Sequence, residues 1–384
     1  SAILRAAGLR VGVFSSPHLE RIEERFAVDG TACSADEFAA LVERLQPIVG
    51  QLDLLVADGQ PGPTYFDLTT AIALEHFANH RVDAAALEVG LGGRLDSTNV
   101  CLPVVSVVTS ISFDHTKQLG NSLAAIAAEK AGIIKPGVPV VSGVIEAEPA
   151  AVISEVAQRH GCRLLQLGTD FHSTWVPPAN LNFRHPDDGS VLELIDVPLA
   201  MSGRHQAANA AVALATVLEL RNQGWCVSRD AMRAGLGEAT VPARIEVVRR
   251  HPTVVLDTAH NRASAQALVD TLAACFPQGN RTLVLAVSRD KDVRAIVDVL
   301  APHFARIVAT EFQTNPRAIP AERLAQIAGA HTTDCEVAVL PDPVAAYDFA
   351  ERGAQSDEMI VIAGSFFIAA ELRPLLTATA ARPV

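Results

Sequence analysis

The organisation of this chain is set by one stretch, which reads Glu88-Val89-Gly90-Leu91-Gly92-Gly93-Arg94-Leu95-Asp96-Ser97-Thr98-Asn99. It follows a short apolar run, Ala84 to Leu87, that is typical of a buried strand. Glu88 stands where that strand ends, and the glycines after it let the backbone approach a ligand or adopt a positive φ. Open α/β sheets bind their ligands beside the carboxyl ends of the strands. The stretch therefore indicates such a site or, with about equal weight, an ordinary glycine-rich turn with a solvated Glu and Arg.

Strand-like and helix-like segments alternate on both sides of this stretch. Before it we predict a helix ending at Gly8, a strand over 10–15, a helix from the capping box at Ser34 to about 49, a loop over 50–63 and a helix over 64–79. After it we predict strands over 104–109, 138–142 and 163–167, and helices over 121–131 and 149–160. Residues 168–202 break this rhythm, and Asp188-Gly189 indicates a hairpin turn. A helix over 205–222 and a connector to about residue 242 follow.

From residue 254 onward the alternation is regular. We predict strands over 254–257, 282–287, 305–309, 336–340 and 359–363, with helices over 263–274, 292–301, 320–330, 343–352 and 366–373. This order predicts an α/β protein of two doubly wound domains. The first spans residues 1–240, and the second, smaller and Rossmann-like, spans residues 241–384.

Composition narrows the class of protein. A formal net charge of −12 argues against wide contact with nucleic acid or anionic membranes. No run approaches the ~18 apolar residues of a membrane span, and no signal peptide is visible. The cysteines are scattered without a C-x-x-C pair, at positions 33, 101, 162, 226, 275 and 335. We therefore expect reduced thiols in a cytoplasmic protein, which we take to be a monomer.

Three predicted strand ends in the first domain carry candidate metal ligands, namely Ser16, Glu88 and His115. A hydroxyl, a carboxylate and an imidazole can together hold a divalent ion, and Mg²⁺ usually takes only one or two carboxylates with water and phosphate oxygens. A single histidine beside Asp114 is more often a structural hydrogen-bonding residue. Because all three residues end neighbouring predicted strands, we favour a shared site.

Lysine is scarce in this sequence, which contains Lys117, Lys130, Lys135 and Lys291. Lys130 falls in the last turn of a predicted helix, where a cation interacts favourably with the helix dipole. None of these lysines belongs to a G-x-x-x-x-G-K-[ST] pattern, so residues 1–384 contain no Walker A loop.

The second domain has one candidate site of its own. Its first predicted strand ends in Asp257-Thr258-Ala259-His260-Asn261, and Arg244 precedes that strand. Asp, His and Asn at a strand end can bind ribose or phosphate, but they can equally cap a polar loop.

Several segments together resemble the folylpolyglutamate synthase/dihydrofolate synthase branch of the Mur ligase superfamily. The segments are Ser16-Pro17-His18-Leu19 with Glu24-Arg25, Thr64 to Asp67, Leu87 to Val100, Asp114-His115-Thr116, Glu129 to Gly137, Gly203 to Gln206 with Asn209-Ala210, Arg244, Asp257 to Asn261, Asp290 to Asp292, and Gly364-Ser365. They cover essentially the whole chain, and the patterns E-V-G-L-G-G-R-L-D-x-T-N and E-K-A-G-I-x-x-P-G are the most specific. The resemblance identifies the first domain as a Mur-ligase-type ATPase domain, incomplete at its N-terminus.

The resemblance implies an ATP-dependent amide ligase of folate metabolism. Such an enzyme phosphorylates a folate or dihydropteroate carboxylate with ATP, and the amine of L-glutamate then attacks the acyl phosphate. By the family pattern Ser16, Glu88 and His115 would ligate Mg²⁺, and Lys130 matches the lysine that is carbamylated and binds a second metal. Asn209 would touch adenine. On the same grounds Arg244, Asp257 and His260 would approach the nucleotide from the second domain.

The chain departs from the family pattern in places. Thr258 stands where the family usually has glycine, which crowds that loop, and Arg289 before Asp290 is unusual. The family places its phosphate loop a few residues before the position of Ser1, so we expect the chain as written to be truncated and not to turn over ATP. Two alternatives stay open: another Mur-type amide ligase, against which the loop from Leu91 to Asn99 argues, and a non-catalytic folate- or nucleotide-binding relative.

Overall fold

The computed structural model describes residues 1–56, 62–187, 190–331 and 335–380. The chain forms two compact units, each of mixed α/β structure. The first unit comprises Ser1–Thr174, Asn180–Leu199 and Ala207–Ala239. The second comprises Trp175–Ala179, Ala200–Gln206 and the chain from Thr240 onward. The sequence predicted a single domain boundary at residue 240. That boundary would place Trp175–Ala179 and Ala200–Gln206 in the first domain, whereas the structure groups them with the second unit.

Up to residue 240 the described chain contains the following elements. The helices are α1 (Ala2–Ala6), α2 (Ala35–Leu55), α3 (Tyr65–Asn79), α4 (Thr116–Leu119), α5 (Leu123–Ala131), α6 (Ala147–Arg159), α7 (Arg204–Asn222) and α8 (Arg229–Glu238). The strands are β1 (Val11–Phe14), β2 (Phe26–Val28), β3 (Thr31–Ala32), β4 (Ala84–Leu87), β5 (Ser106–Val108), β6 (Val140–Ser142), β7 (Leu164–Gln166), β8 (His172–Val176), β9 (Asn180–Asp187) and β10 (Ser190–Pro198). Short 3₁₀ turns cover Ile22–Arg25 and Ser97–Val100.

These strands form three sheets. The first has the order β3-β2-β1-β4, in which β1 pairs in parallel with β4 and antiparallel with β2. The second is a parallel sheet in the order β5-β6-β7, and the third has the order β10-β9-β8. The predicted strand over 84–87 is confirmed, but the expectation that it is buried is wrong. Among the described strands it pairs with β1 alone, and its central residues Ala85 and Ala86 are exposed.

Side-chain capping and aromatic packing explain the start of the first unit. Ser34 and Thr64 each form a capping box with the residue three positions later, which fixes where α2 and α3 begin. The core beside the first sheet contains Phe14, Phe26 and Phe77. Gly12 on β1 has no room for a side chain, since an added Cβ would lie 2.7 Å from the ring of Phe77.

Several predicted boundaries need correction. Helix α2 continues to Leu55 through Pro47 and Gly50, so the predicted loop over 50–63 begins later; residues 57–61 lie outside the described part. Helix α8, capped by Ser228, occupies the stretch that we expected to be a connector. The predicted hairpin is confirmed by the antiparallel pairing of β9 with β10, while its turn at Asp188-Gly189 lies outside the described residues.

The second unit is built around one six-stranded sheet in the order β11-β12-β16-β13-β14-β15. The strands are β11 (Glu246–Arg249), β12 (Thr253–Leu256), β13 (Arg281–Leu285), β14 (Arg306–Ala309), β15 (Glu336–Val339) and β16 (Met359–Ala363). The helices are α9 (Arg262–Cys275), α10 (Val293–Leu300), α11 (Ala321–His331), α12 (Pro343–Gly353) and α13 (Phe366–Ala380), with a 3₁₀ turn over Ala301–His303. All pairings are parallel except that of β11 with β12, and β11 was not predicted. The alternation predicted from residue 254 is confirmed.

No helix within the described ranges combines the length and the apolar character that crossing a lipid bilayer requires.

Candidate active site

The loop that follows β4 is organised by the carboxylate of Asp96. Its Oδ2 accepts hydrogen bonds from the backbone N–H groups of Gly90 at 3.0 Å and Leu91 at 2.9 Å. Its Oδ1 accepts from the backbone N–H of Thr98 at 3.0 Å and from the Thr98 hydroxyl at 2.6 Å. One side chain thus ties the start of the loop to its end, which gives the glycine-rich stretch a single conformation. Gly92 contributes a positive φ of 69°.

The loop packs tightly on the last turn of α5. A Cβ on Gly93 would lie 2.8 Å from the side chain of Ile133 and 3.0 Å from the carbonyl oxygen of Lys130. A Cβ on Gly132 would lie 2.3 Å from the Cβ of Arg94. Both positions therefore require glycine for close approach. The two most specific sequence patterns therefore meet at one contact. We call this contact the loop–helix joint, and it comprises Gly93 and Arg94 of the loop with Glu129 to Ile133.

Hydrogen bonds reinforce the loop–helix joint. Asn99 Nδ2 donates to the carbonyl oxygens of Arg94 and Gly132 at 3.0 and 3.1 Å. Lys135 Nζ donates to the Asn99 carbonyl at 2.9 Å. On the other side of the loop, the Ser97 hydroxyl donates to Asp67 Oδ1 at 2.6 Å, which attaches the loop to the start of α3.

The structure brings two of the predicted metal ligands together. The backbone N–H of Ser16 donates to Glu88 Oε2 at 2.9 Å, because Ser16 and Glu88 follow the paired strands β1 and β4. The loop that carries Ser16 is itself held by Glu24, whose carboxylate accepts hydrogen bonds from three successive backbone N–H groups, those of Leu19, Glu20 and Arg21. This supporting role of Glu24 was not predicted, although the residue belongs to a segment that carried the resemblance.

His115 occupies a different structural context from the other two predicted ligands. It follows β5, which pairs with β6 in a separate sheet, so the expectation that all three residues end neighbouring strands is wrong for His115. The residue has a left-handed φ of 50° and precedes α4. Its backbone N–H donates to Asp114 Oδ1 at 2.8 Å, and its imidazole is exposed.

Lys130 lies half-buried on the last turn of α5. Burial lowers the pKa of its amine, while the carboxylate of Asp114 acts in the opposite direction. The side chain therefore lies near Asp114, the residue that precedes the predicted ligand His115. The backbone of Lys130 belongs to the loop–helix joint, which fixes its position.

The side chains predicted to bind metal in the first unit are of types that a hydrated divalent ion accepts. Glu88 and His115 are exposed, and together with the Ser16 hydroxyl they offer the oxygen and nitrogen ligands that Mg²⁺ and Mn²⁺ accept. Lys130 as an ammonium ion cannot join this set, since it has no lone pair. Among the described residues, one group of at least three His, Cys, Asp or Glu side chains has ligand atoms that all lie within 4.8 Å of one another. This group is Glu37, His76 and His80, and it includes none of the predicted metal ligands.

In the second unit, a strained turn presents Arg244. The residues on either side of it, Ala243 and Ile245, have left-handed φ values of 54° and 50°. Such values are uncommon for alanine and exceptional for a β-branched residue, and each costs about 1–3 kcal/mol. The Ile245 N–H donates to Asp257 Oδ2 at 2.9 Å, and the Ala243 N–H donates to Glu246 Oε2 at 2.7 Å. These two carboxylates hold the turn, and strain of this kind concentrates at functional sites.

The buried carboxylate of Asp257 stabilises this turn through hydrogen bonds. Besides Ile245, its carboxylate accepts the backbone N–H of Ala259 at 2.7 Å. Burial raises the pKa of Asp257 to about 6, against the opposing effects of these hydrogen bonds and of Arg244. The adjacent Thr258 is fully buried, and its hydroxyl has no hydrogen-bond partner among the described residues.

Aromatic contacts and a histidine that was not predicted complete this region. Arg244 Cζ lies 5.3 Å from the centre of the Phe366 ring, and His260 packs against the same ring at 5.6 Å. His205 lies in the same unit, and burial, assisted by the charge of Arg244, lowers its pKa to about 4, so its imidazole is neutral at pH 7. The Gly203 to Gln206 motif was the available signal for His205. Asn209 is exposed on α7.

Comparisons with known proteins agree with this architecture. The Mur ligase middle domain matches residues 49–217, and the glutamate ligase domain of Mur ligases matches residues 243–366. The dihydrofolate synthase/folylpolyglutamate synthase of Bacillus subtilis is 34% identical over an alignment that covers 98% of this chain and 86% of that protein. The chain belongs to the folylpolyglutamate synthase/dihydrofolate synthase family of Mur ligases. This family membership accounts for the two patterns that meet at the loop–helix joint.

Solved structures of the family show the same fold. The Mycobacterium tuberculosis folylpolyglutamate synthase complexed with ADP and AMPPCP has a TM-score of 0.89 at 34% identity, covering 100% of this chain and 87% of that one. A bifunctional folylpolyglutamate synthase/dihydrofolate synthase of Yersinia pestis complexed with AMPPNP and a Mn ion has a TM-score of 0.84 at 32% identity, covering 98% and 84%. Those relatives bind adenine nucleotides, and one of them binds a divalent metal.

Proposed function

We propose that this chain carries the two Mur ligase domains of an ATP-dependent ligase that joins L-glutamate to the carboxylate of a folate or of dihydropteroate, with release of ADP and phosphate. The observation that carries the proposal is the loop–helix joint, which connects the two patterns specific to the family and places Lys130 at their contact. Relatives that share the sequence over nearly the whole chain are named for this reaction.

The chemistry requires activation of the acceptor. A carboxylate is a poor electrophile because oxide is not a leaving group. Transfer of the γ-phosphoryl group of ATP to a carboxylate oxygen gives an acyl phosphate and ADP. The glutamate amine then attacks the acyl carbon, so that a C–N bond forms while the bond to phosphate breaks, and the amine gives up a proton. The protein contributes mainly positioning and stabilisation of charge on the transferring phosphoryl group.

Metal binding is assigned to residues of the first unit. Ser16, Glu88 and His115 would hold Mg²⁺, which supplies positive charge against the phosphate oxygens when bound. The hydrogen bond from Ser16 to Glu88 and the exposure of Glu88 and His115 support this assignment. Lys130 would act as a carbamate, formed when its neutral amine adds to CO₂ and loses a proton. A carbamate near Asp114 places two anions together, an arrangement that favours a cation between them.

Nucleotide binding is assigned by the family resemblance. Asn209 would contact adenine. Three residues of the second domain would approach the nucleotide, namely Arg244, Asp257 and His260. The strained turn around Arg244 supports its role, and the burial of Asp257 makes it a positioning residue that acts through Ile245. The neutral imidazole of His205 adds a further polar group near Arg244.

Further assignments complete the proposal. The domain boundary lies at residue 240, the ligase works as a monomer, and it resides in the cytoplasm, where its free cysteine thiols remain reduced. A polypeptide of residues 1–384 alone does not turn over ATP. It contains no Walker A loop to hold the phosphates with backbone N–H groups and a lysine, and the loss of even one such donor typically costs about 10²–10³ in rate.

The test compares two polypeptides, residues 1–384 and the product translated from the natural start codon. Each is incubated with ATP, Mg²⁺, L-glutamate and either dihydropteroate or a reduced folate. ADP release is measured with the gain in mass of the acceptor. We expect the natural product to form one ADP per glutamate added. Acceptor binding without ADP release would show the non-catalytic alternative, and equal turnover by residues 1–384 would show that the phosphate site lies within them.

A further inference from the structure

A group of metal-ligating side chains lies at the end of α3 that is distant from the glycine-rich loop. His76 and His80 are four residues apart, so they lie on one face of α3, and Glu37 belongs to the first turn of α2, which packs on α3. The ligand atoms of the three side chains all lie within 4.8 Å of one another. At about 1.5 Å per residue along α3, His76 lies about 14 Å from Asp67, which contacts the loop.

The surrounding hydrogen bonds orient two of these side chains. His80 Nδ1 lies 3.0 Å from the carbonyl oxygen of His76. A carbonyl can only accept, so Nδ1 donates in this contact, and Nε2 is the ring nitrogen that faces Glu37. A backbone carbonyl is a common partner for the second nitrogen of metal-binding histidines. Glu37 Oε2 accepts from the N–H and the hydroxyl of Ser34 at 2.9 and 2.6 Å, which turns Oε1 towards His80.

One measured distance within the group matches the spacing of ligands on a tetrahedral zinc ion. Zn–N bonds of 2.0–2.1 Å and Zn–O bonds of 2.0–2.2 Å place nitrogen and oxygen ligands about 3.4 Å apart. Glu37 Oε1 and His80 Nε2 are 3.3 Å apart. Cys33 Sγ lies 3.8 Å from His76 Nδ1, but it does not belong to the group whose ligand atoms all lie within 4.8 Å of one another. Burial raises the pKa of the Cys33 thiol to about 11, so we leave this residue out of the ligand set.

We propose that Glu37, His76 and His80 form a Zn²⁺ site, with water as the fourth ligand. Two imidazoles and one carboxylate are a donor set suited to Zn²⁺ and poorly suited to Mg²⁺. The ion connects the first turn of α2 to the C-terminal end of α3. This site is separate from the Mg²⁺ ligands assigned to the ligase reaction and is independent of that function.

The site is tested by metal binding to the 384-residue chain. Chelator-treated protein is titrated with Zn²⁺ in the presence of excess Mg²⁺, with a chromophoric chelator as competitor. We expect one tightly bound Zn²⁺ per chain and a rise in the midpoint of thermal unfolding on binding. Substitution of Co²⁺ should give the visible spectrum of a four-coordinate ion.

The matched variants avoid the buried His76. His80→Gln removes a ligand from a partly exposed position, and Glu37→Gln removes the charge while keeping the capping box, which Gln also forms. Each should weaken Zn²⁺ binding at least about a hundredfold, the upper end of the loss caused by removing even an orienting residue. His160→Gln is the control, since His160 ends α6 as His80 ends α3.

Two results would overturn the proposal. One is Zn²⁺ binding of equal strength in wild type and in both variants, with circular dichroism showing that all are folded. The other is the absence of Zn²⁺ binding in wild type, which would leave Glu37 and His80 as a simple ion pair.

Discussion

Arg94 and Glu129 form a two-pronged ion pair, in which Arg94 Nη2 and Nε lie 3.0 and 3.1 Å from Glu129 Oε1. Their backbones are also joined, since the Arg94 N–H donates to the Glu129 carbonyl at 2.9 Å. The ion pair is partly exposed, so its electrostatic contribution to stability is only about 0–1 kcal/mol. Its importance is geometric, because Glu129 precedes Lys130 and any shift of the loop moves that lysine.

Gly93→Ala should therefore reduce both turnover and stability. The new methyl group would meet Ile133 and the carbonyls of Lys130 and Glu129 and push the loop away from α5. We expect a loss of about 1–3 kcal/mol of unfolding free energy and about a hundredfold in turnover, as for a displacement of about 1 Å at a reacting group. The measurements are urea denaturation and glutamate addition by the active ligase.

The matched control for that variant is Gly50→Ala. Gly50 lies within α2, and no atom lies within 4 Å of an added Cβ. Alanine there should stabilise the helix by about 0.5–1 kcal/mol and leave turnover unchanged. Wild-type turnover in Gly93→Ala would show that the close packing of the loop–helix joint does not position Lys130.

Lys130→Ala should abolish ligase activity, and short carboxylic acids should partly restore it by replacing the carbamate. Lys135→Ala serves as the comparison, because Lys135 supports the loop through the Asn99 carbonyl but has no proposed anionic role. It should lose some activity, and acids should not restore that activity. Rescue of both variants, or of neither, would contradict a carbamate at Lys130, and mass spectrometry of the intact protein under CO₂ provides an independent check.

Glu88→Gln and His115→Ala should each increase the Mg²⁺ concentration needed for half-maximal ligase activity. Glutamine keeps an oxygen that can accept the Ser16 N–H, so the local fold is retained while the charge on the ion's ligand is lost. Glu155→Gln is the control, since Glu155 is an exposed residue of α6 paired with Arg159. Unchanged Mg²⁺ dependence in both site variants would remove these residues from the metal site.

What the sequence could predict depends on how local each signal is. The capping box at Ser34, the helix over 64–79 and the strand over 84–87 involve residues close in sequence, and they were predicted correctly. Helix α8 carried a similar local signal at Ser228, but its mixed composition hid it. The separation of β4 and β5 into different sheets, which changed the context of His115, depends on long-range pairing that periodicity does not report.

The candidate site also has features that depend on residues far apart in sequence, which local patterns do not predict. The positive φ of Ile245 contradicts the preference of a β-branched residue and is held by Asp257, twelve positions later. The family resemblance indicated Arg244 and Asp257 as site residues, but only the structure distinguishes their roles. Arg244 lies on the strained turn, and the buried Asp257 carboxylate holds that turn through hydrogen bonds. The role of Glu24 beneath Ser16 was missed for the same reason, since it depends on how a loop folds back on itself.

The burial of Asp257 predicts a specific dependence of the free energy of unfolding on pH. Its pKa rises from 3.8 to about 6 because it is buried, so between about pH 4 and 6 the folded state keeps a proton that the unfolded state has released. Stability contributed by this residue is therefore present at low pH and is lost as the pH rises through 6, by about 3 kcal/mol at about 1.4 kcal/mol per pKa unit. Asp257→Asn cannot titrate, so the difference in unfolding free energy between wild type and this variant should fall by up to that amount from pH 4 to pH 7. Urea denaturation at a series of pH values measures it, with the exposed Asp270→Asn as control. A constant difference across this range would show that Asp257 is ionised in the folded protein throughout, held by Arg244 and its backbone donors against the effect of burial.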